Sequence, residues 1–283
     1  MKECETSMRI VNLIENIKGN PECDFEHGLS IYVETETYKL LVDTGCTDKF
    51  LENAKRLSIQ LEDVDFVVLS HGHYDHGGGL LHFAKVNSHA HIYVRDNVFS
   101  NFYHGKDENK RYIGLDKRIS NLSQIRYVGG TIRINEELLL FTNVTSRTLW
   151  PSGNLELTVE KDGVLVQDDF SHEQYLVISR EGKDILISGC AHNGILNILE
   201  EYHRIFSKDP DVVISGFHMM KKNGYKQEDI ELIEQTAWKL KEYKTKFYTC
   251  HCTGEEPYER MKRILKDQIE YVKSGEEIRF DKD

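Results

Sequence analysis

The stretch Ser-His-Gly-His-Tyr-Asp-His-Gly-Gly-Gly, residues 70–79, places three histidines and one aspartate within six positions, His71 to His76. It follows directly after the apolar run Phe66-Val67-Val68-Leu69, which has the length and composition of a buried strand. The three glycines lead into a helix predicted from about Gly79. The sequence therefore predicts a strand, then a loop rich in ligand-type side chains, then a helix.

This density of imidazole and carboxylate groups predicts a metal centre. In an extended turn His71 and His73 can point the same way, whereas Asp75 and His76 turn toward a neighbouring volume, which suits two adjacent metals better than one. Zinc is the expected metal, with iron, manganese or magnesium as alternatives, because neutral imidazole and carboxylate ligands serve such divalent ions. The helix N-terminus behind the glycines favours anionic groups nearby.

Composition limits the classes of partner. The chain has 283 residues, 39% of them hydrophobic, so it can bury a substantial core. Its 36 basic and 47 acidic residues give a formal net charge of −11, which offers no general basic surface for a phosphate backbone, and we expect no nucleic-acid partner. No apolar segment approaches the length of a membrane span and the N-terminus lacks the apolar core of a secretory signal, so we expect a cytoplasmic protein without a membrane partner.

Six cysteines in a chain of this length do not form a small disulfide scaffold, and in a reducing cytosol they stay thiols. We interpret Cys4, Cys23 and Cys46 as structural. The run Cys250-His251-Cys252 lacks the Cys-x2-Cys spacing of a zinc ribbon, so His251 is its best metal ligand.

The order of predicted elements indicates one compact domain, residues 1–283, with an insertion over a pocket at about 95–160. Two successive blocks of strands followed by helices predict an α/β (α+β) fold, a four-layer αββα sandwich in which two sheets pack face to face with helices outside. The predicted strands are 8–14, 28–34, 38–42, 65–69, 90–94, 125–128, 138–142, 174–179, 184–188, 212–215 and 246–249. The predicted helices are 48–57, one from about 79, 195–206 and 227–241.

The motif His71-Gly72-His73-Tyr74-Asp75-His76 resembles the H-x-H-x-D-H signature of the metallo-β-lactamase superfamily, whose members share the αββα sandwich. Leu40-Leu41-Val42-Asp43-Thr44-Gly45 is similar to the first motif of that superfamily, in which the aspartate supports the metal loop from outside the ligand sphere. The resemblance implies a metal held by His71, His73 and His172. It also implies a second metal, which is held by Asp75, His76 and His251.

The sequence departs from this superfamily at one position. Where most such hydrolases have Gly-Asp, with the aspartate bridging both metals, this chain has Gly189-Cys190-Ala191-His192. Either the Cys190 thiolate or the His192 imidazole replaces the carboxylate, and both residues are expected to belong to the site. With Asp75, we expect these two residues to take part in catalysis.

Several further stretches resemble one branch of the superfamily, among them Ser188-Gly189-Cys190-Ala191-His192-Asn193-Gly194-Ile195, Ser215-Gly216-Phe217-His218-Met219 and His251-Cys252-Thr253-Gly254. That branch includes synthases that join a dihydropterin methyl group to a ribofuranosylaminobenzene phosphate, and many metal-dependent hydrolases. His27 and His218 are not ligands in the superfamily, so we interpret them as substrate-binding residues of the pocket or as hydrogen-bonded histidines at strand ends.

The resemblance implies a metal-dependent hydrolase that uses a metal-activated water, or a pterin-type synthase that uses the same metals to expel an oxygen leaving group. A redox or binding protein is the third class, and the histidine at position 73 disfavours it, because flavin-coupled di-iron relatives usually carry glutamate there. We expect a small, anionic, ring-containing substrate, because of the helix N-terminus at the metals and the aromatic residues of the insertion, Phe99, Phe102, Tyr103 and Tyr112. Lys221 and Lys222 either meet a substrate phosphate or form a solvated pair.

Overall fold

The computed structural model describes residues 8–105 and 107–279, so Cys4 lies outside the described residues. Its first sheet contains seven strands, and the last four in the order given below run parallel to one another. In order across the sheet they are β18 (Glu276–Arg279), β1 (Arg9–Ile14), β2 (Ser30–Glu34), β3 (Lys39–Val42), β4 (Phe66–Val68), β5 (His91–Arg95) and β8 (Ile125–Val128).

The second sheet also contains seven strands, and the first four in the order given below run parallel to one another. In order they are β17 (Ile269–Tyr271), β16 (Lys246–Thr249), β15 (Val212–Ser215), β14 (Lys183–Ile187), β13 (Tyr175–Arg180), β10 (Leu138–Phe141) and β9 (Ile132–Arg133). A third, four-stranded sheet consists of β12 (Val164–Gln167), β11 (Leu157–Lys161), β6 (Phe102–His104) and β7 (Arg111–Tyr112).

Helices cover the outer faces of both large sheets. The α-helices are α1 (Lys49–Arg56), α2 (Tyr74–Gly77), α3 (Leu80–Val86), α4 (Ile195–Phe206), α5 (Gln227–Leu240) and α6 (Glu255–Leu265). Short 3-10 helices are Leu61–Asp63, Asp107–Asn109, Lys117–Asn121, Ser152–Glu156, His251–Thr253 and Lys266–Gln268. None of the helices within residues 8–105 and 107–279 has the length and hydrophobicity of a membrane-spanning segment.

The central strands are buried on both faces, which explains why the two sheets pack face to face with helices outside. In β3, Leu40 and Val42 belong to the core between the two sheets, whereas Leu41 packs against the helices of the first half. In β13, Leu176 faces the core between the sheets and Val177 faces the helices of the second half. Because successive side chains of a strand point to opposite faces, these apolar runs fill two layers at once. The αββα sandwich predicted from the sequence is therefore confirmed.

The stretch 95–160, predicted to be an insertion, is divided between three sheets. β8 extends the first large sheet, β9 and β10 extend the second, and only β6, β7 and the start of β11 form the separate small sheet. Phe102, Ile113, Leu157, Val159 and Phe170 give that small sheet its own apolar cluster. The part of the chain that stands outside the sandwich is therefore smaller than the predicted insertion.

Candidate metal centre

The ligand-type side chains gather where parallel strands of both large sheets end. The motif of residues 71–76 follows β4, Cys190 and His192 follow β14, His218 follows β15 and His251 follows β16. Carboxyl ends of parallel strands lie at one edge of a sheet, so two packed sheets bring these loops together. They enclose a cavity of about 110 Å³ that is lined by His27, His73, Tyr74, Asp75, His104, Arg111, Ile113, Leu157, Cys190, His192, His218, Met220, His251 and Cys252.

The first donor cluster consists of three buried histidines, His71, His73 and His192. Their ligand atoms all lie within 4.8 Å of one another, and the Nε2 atoms of His71 and His192 are 3.3 Å apart. Nε2 of His73 is buried and has no hydrogen-bond partner among the described residues. A buried imidazole nitrogen without a partner is costly in a folded protein, and a bound metal would satisfy it.

The second donor cluster adjoins the first and contains Asp75, His76, Cys190 and His251. Nε2 of His76 lies 3.1 Å from Sγ of Cys190 and 3.2 Å from Nε2 of His251. Oδ2 of Asp75 lies 3.4 Å from Nε2 of His251. These spacings are those of donors that share one cation, so the residues present fit a second metal beside the first.

Outer hydrogen bonds aim the histidines at the centre. Nδ1 of His76 lies 2.6 Å from Oδ2 of Asp43, and Nδ1 of His71 lies 2.9 Å from Oγ of Ser70, which itself donates to Asp43. The same arrangement joins two other pairs, each with 2.9 Å between Nδ1 and a side-chain oxygen: His192 with Asn154, and His251 with Asn16. An imidazole whose Nδ1 is held in this way presents Nε2 to a metal in a fixed orientation.

The protonation states also suit ligands. Burial lowers the pKa of His73 to about 3, and burial holds the pKa of His71 and of His192 well below the usual value, so these rings are neutral. Burial disfavours a charge on His76, but the neighbouring carboxylate of Asp43 raises its pKa to about 9. Metal binding at His76 therefore displaces a proton.

His172 lies behind the first cluster and uses both of its ring nitrogens in hydrogen bonds. Its Nδ1 accepts from the backbone N–H of Gly72 at 2.9 Å, and its Nε2 lies 3.1 Å from Oδ2 of Asp168. Its ring packs against Phe102, with 4.1 Å between ring centroids. The superfamily pattern made His172 the third ligand of the first metal, whereas the histidine whose ligand atom groups with those of His71 and His73 in the structure is His192.

The segment 189–192 brings two donor-type side chains to the centre. Sγ of Cys190 lies beside His76, and Nε2 of His192 lies beside His71, so both residues predicted for the missing aspartate stand at the donor clusters. The ligand atoms of Cys190 and His192 are also within 4.8 Å of each other. Ala191 between them has φ of 52°, a left-handed conformation that is strained for alanine and reverses the chain. The turn is held by the buried carboxylate of Glu173, which accepts from the backbone N–H of His192 at 2.7 Å and of Asn193 at 3.0 Å.

Both histidines predicted for the pocket line the cavity. Nε2 of His27 lies 3.3 Å from Oδ2 of Asp75, and its side chain is 47% exposed, so His27 connects the centre with solvent. The ring of His218 lies 4.1 Å from that of His192, between ring centroids, and its buried Nδ1 has no hydrogen-bond partner among the described residues. His218 has φ of 49°, so this ring is held in the cavity by a strained backbone.

One cation lines the cavity, and a second lies near it. Arg111 of β7 lines the cavity and stands over the ring of Tyr74, and it forms no ion pair with any described residue. Lys222 is close enough to His27 and His104 for its charge to lower their pKa values, in addition to the larger effect of burial. Lys221 instead pairs with Asp229 at 2.5 Å. Of the predicted lysine pair, only Lys222 therefore stands near the cavity.

Sequence reasoning missed Arg111, Cys252, Asn16 and Asn154. Arg111 and Cys252 line the cavity, and the two asparagines position histidines. Asn16 and Asn154 follow no motif, because each meets its histidine only through long-range packing. The aromatic residues expected over the substrate are not among the described residues that line the cavity. Phe102 packs on His172, and Tyr103 packs on Tyr112.

Comparison with known proteins agrees with this geometry. Residues 23–218 match the family model of the metallo-β-lactamase superfamily. The 7,8-dihydropterin-6-methyl-4-(β-D-ribofuranosyl)-aminobenzene-5'-phosphate synthase of Methanocaldococcus jannaschii is 27% identical over 97% of both chains. The crystal structure of Tm1679, a metal-dependent hydrolase of the β-lactamase superfamily, has a TM-score of 0.80 and 30% identity, and covers 97% of this chain and 100% of its own. YhfI from Bacillus subtilis shares the fold, with a TM-score of 0.56 at 15% identity, and covers 98% of this chain and 100% of its own. The chain belongs to the metallo-β-lactamase superfamily.

Proposed function

We propose that the chain is a hydrolase with two divalent metals that acts on a small anionic substrate containing a ring. The observation that carries this proposal is the pair of adjoining donor clusters at the floor of one cavity. In this proposal His71, His73 and His192 hold one metal. Asp75, His76, Cys190 and His251 hold the other, and His172 positions the loop behind them.

The metals, when bound, supply Lewis acidity and an activated water, and zinc suits the imidazole donors best. Asp75 is the carboxylate in the cavity wall, so it is placed to orient the attacking water and to accept its proton. His27 lies 3.3 Å from Asp75, and burial lowers its pKa, so the neutral ring can take up that proton. Because His27 is half-exposed, it can then release the proton to solvent.

The substrate class follows from the rest of the wall. Arg111, from the small sheet, lines the cavity, and Lys222, from the loop after β15, lies near the cavity-lining residues His27 and His104. They attract an anionic group such as a phosphate or carboxylate. Tyr74, Ile113 and Leu157 offer aromatic and apolar surface for a ring. A cavity of about 110 Å³ suits a small molecule better than a macromolecule.

The second candidate is a pterin-type synthase, in which the same residues hold the metals while an arylamine attacks and an oxygen leaving group departs. The favouring observation is the similarity to the Methanocaldococcus jannaschii synthase, which extends over 97% of both chains. The activity in that protein's name comes to this chain only as a proposal, because 27% identity leaves room for a different reaction.

The experiment compares two reactions with one preparation. Protein stripped of metal and reloaded with Zn²⁺, Fe²⁺ or Mn²⁺ is assayed with chromogenic carboxylic and phosphate esters, and separately with a dihydropterin alcohol plus an arylamine ribofuranosyl phosphate. We expect metal-dependent ester hydrolysis that His73→Ala abolishes. Condensation without hydrolysis would establish the synthase instead. Failure of the protein to bind divalent metal would overturn both, and turnover of RNA or DNA in preference to small esters would overturn the substrate class.

A further inference from the structure

Two of the five cysteines in the described part of the chain face the metal cavity. Cys190 and Cys252 line it, whereas Cys250 packs in the core between the sheets and Cys23 and Cys46 lie away from the cavity lining. Cys190 and Cys252 are only 3% and 5% exposed, so both thiols are buried beside the donor clusters. The ligand atoms of Cys190, His251 and Cys252 lie within 4.8 Å of one another.

The backbone fixes Cys252 at this place. It lies in the 3-10 turn that follows β16, next to His251, and the N–H of His218 points at its Sγ with 3.2 Å between N and Sγ. A backbone N–H that points at sulfur stabilises the thiolate. A Cβ at position 216 would lie 2.4 Å from this Sγ, so Gly216 leaves the space that the thiol occupies.

We propose that Cys252 is a further metal ligand, which pairs with Cys190 to give the second metal position two thiolates. This inference rests on the proposed metal centre and deepens it, because it concerns which metal that centre selects. Thiolate donors favour Zn²⁺, Fe²⁺ and Co²⁺ over Mg²⁺ and Mn²⁺, which prefer oxygen. The second position is therefore thiophilic, and the first, with three imidazoles, is less selective.

Two consequences distinguish a thiolate pair from a single thiolate. Binding through both sulfurs displaces a proton from each cysteine that is protonated in the free protein, and it shields both sulfurs from alkylating reagents. With Co²⁺ as the probe, each sulfur bound to the metal also adds to a sulfur-to-cobalt charge-transfer band in the near ultraviolet. That band reports ligation directly and is independent of turnover.

The test titrates metal-stripped protein with Co²⁺ and records this band for wild type, Cys190→Ala, Cys252→Ala and the double variant. We expect each single variant to lose about half of the intensity and the double variant to lose all of it. Cys250→Ala is the matched control, since Cys250 is equally buried but packs in the core, and it should keep the full band. An unchanged band in Cys252→Ala, together with its loss in Cys190→Ala, would overturn the inference and leave the proposed function intact.

A second measurement needs no variant. Wild-type protein is treated with iodoacetamide with and without Zn²⁺, and modification at each cysteine is measured by peptide mass spectrometry. We expect Zn²⁺ to protect Cys190 and Cys252 together, and Mn²⁺ at the same concentration to protect neither. Protection of Cys190 alone contradicts the pair. If wild-type protein binds neither Co²⁺ nor Zn²⁺, the proposed function itself fails.

Discussion

The carboxylate of Glu173, just before β13, accepts a hydrogen bond from the backbone N–H of His192, just after β14, at 2.7 Å. The same carboxylate accepts from the N–H of Asn193 and from the hydroxyl of Tyr175. All of these groups are buried, so Glu173 shapes the turn that delivers His192 to the first cluster. A residue outside the ligand set thereby sets the direction of a proposed ligand.

Glu173→Gln should therefore weaken the turn. The two carboxylate oxygens each accept one of the backbone N–H groups, and the amide replaces one of these oxygens by an NH2 group, which leaves a backbone donor without its acceptor. An unsatisfied buried donor costs about 1–3 kcal/mol of unfolding free energy. We expect urea denaturation to show this loss, and metal analysis to show lower occupancy of one site. Glu156→Gln, on an exposed side chain, should change neither quantity. Wild-type stability and occupancy in Glu173→Gln would contradict the role given to this carboxylate.

Separate variants of His192 and His172 decide which histidine completes the first cluster. His192→Ala should lose one of the two metal equivalents, because it removes a donor whose Nε2 lies 3.3 Å from that of His71. His172→Gln should keep both equivalents, because His172 contacts Gly72 and Asp168. Elemental analysis of metal-loaded protein is the measurement. The reverse result would return His172 to the ligand set that the superfamily pattern assigned.

Arg111→Gln should reduce kcat/KM for anionic esters by about ten- to a hundredfold, the effect of losing a charge-assisted hydrogen bond worth about 1.5–3 kcal/mol. Neutral esters of the same leaving group should be hydrolysed at the wild-type rate. Lys222→Gln should act in the same direction, with a smaller effect. Arg118→Gln is the matched control, because Arg118 is exposed and paired with Asp116. Equal losses on neutral and anionic esters would show that Arg111 does not recognise charge.

The unfolding free energy should fall at acid pH, in part because of Asp184 at the start of β14. Burial raises the pKa of this carboxyl, but hydrogen bonds from Tyr202 and Ser179 and the charge of Lys208 outweigh burial and lower it. A pKa that is lower in the folded chain stabilises the fold above the unfolded value of about 3.9, and this stability is lost as pH falls through the folded value. The difference in unfolding free energy between wild type and Asp184→Asn should be constant above about pH 5 and shrink below it.

A difference between wild type and Asp184→Asn that stays constant down to the acid transition would show that the carboxylate of Asp184 is not stabilised in the fold.

Patterns within short stretches predicted most of the sandwich. Apolar runs such as that of β4 predicted the strands. The cluster of histidines after β4 predicted the loop that carries His71, His73, Asp75 and His76. The C-terminal elements α6, β17 and β18 received no assignment from the sequence, and β18 pairs with β1 at the other end of the chain. Pairing over that distance has no local signal, because it is decided by which sheet edge is free.

The choice between His172 and His192 could not be predicted for a different reason. Both residues flank one hairpin, and each lies close to a left-handed residue, Phe170 with φ of 53° and Ala191 with φ of 52°. Phenylalanine and alanine rarely adopt a left-handed backbone conformation, so the sequence does not predict the directions in which the two histidines point. Arg111 was missed because it reaches the cavity only when β6 and β7 pair.

The donor set is divided between the halves of the molecule: Asp75 and His76 follow a strand of the first sheet, whereas Cys190 and His251 follow strands of the second. Neither half alone holds the complete donor set of the proposed second metal position. A chain cut between the halves would regain tight metal binding only if its two fragments reassociated with the native sheet packing. Metal affinity would therefore measure how completely the two fragments reassociate. A bound metal would crosslink the two sheets, and a chelator would remove that crosslink.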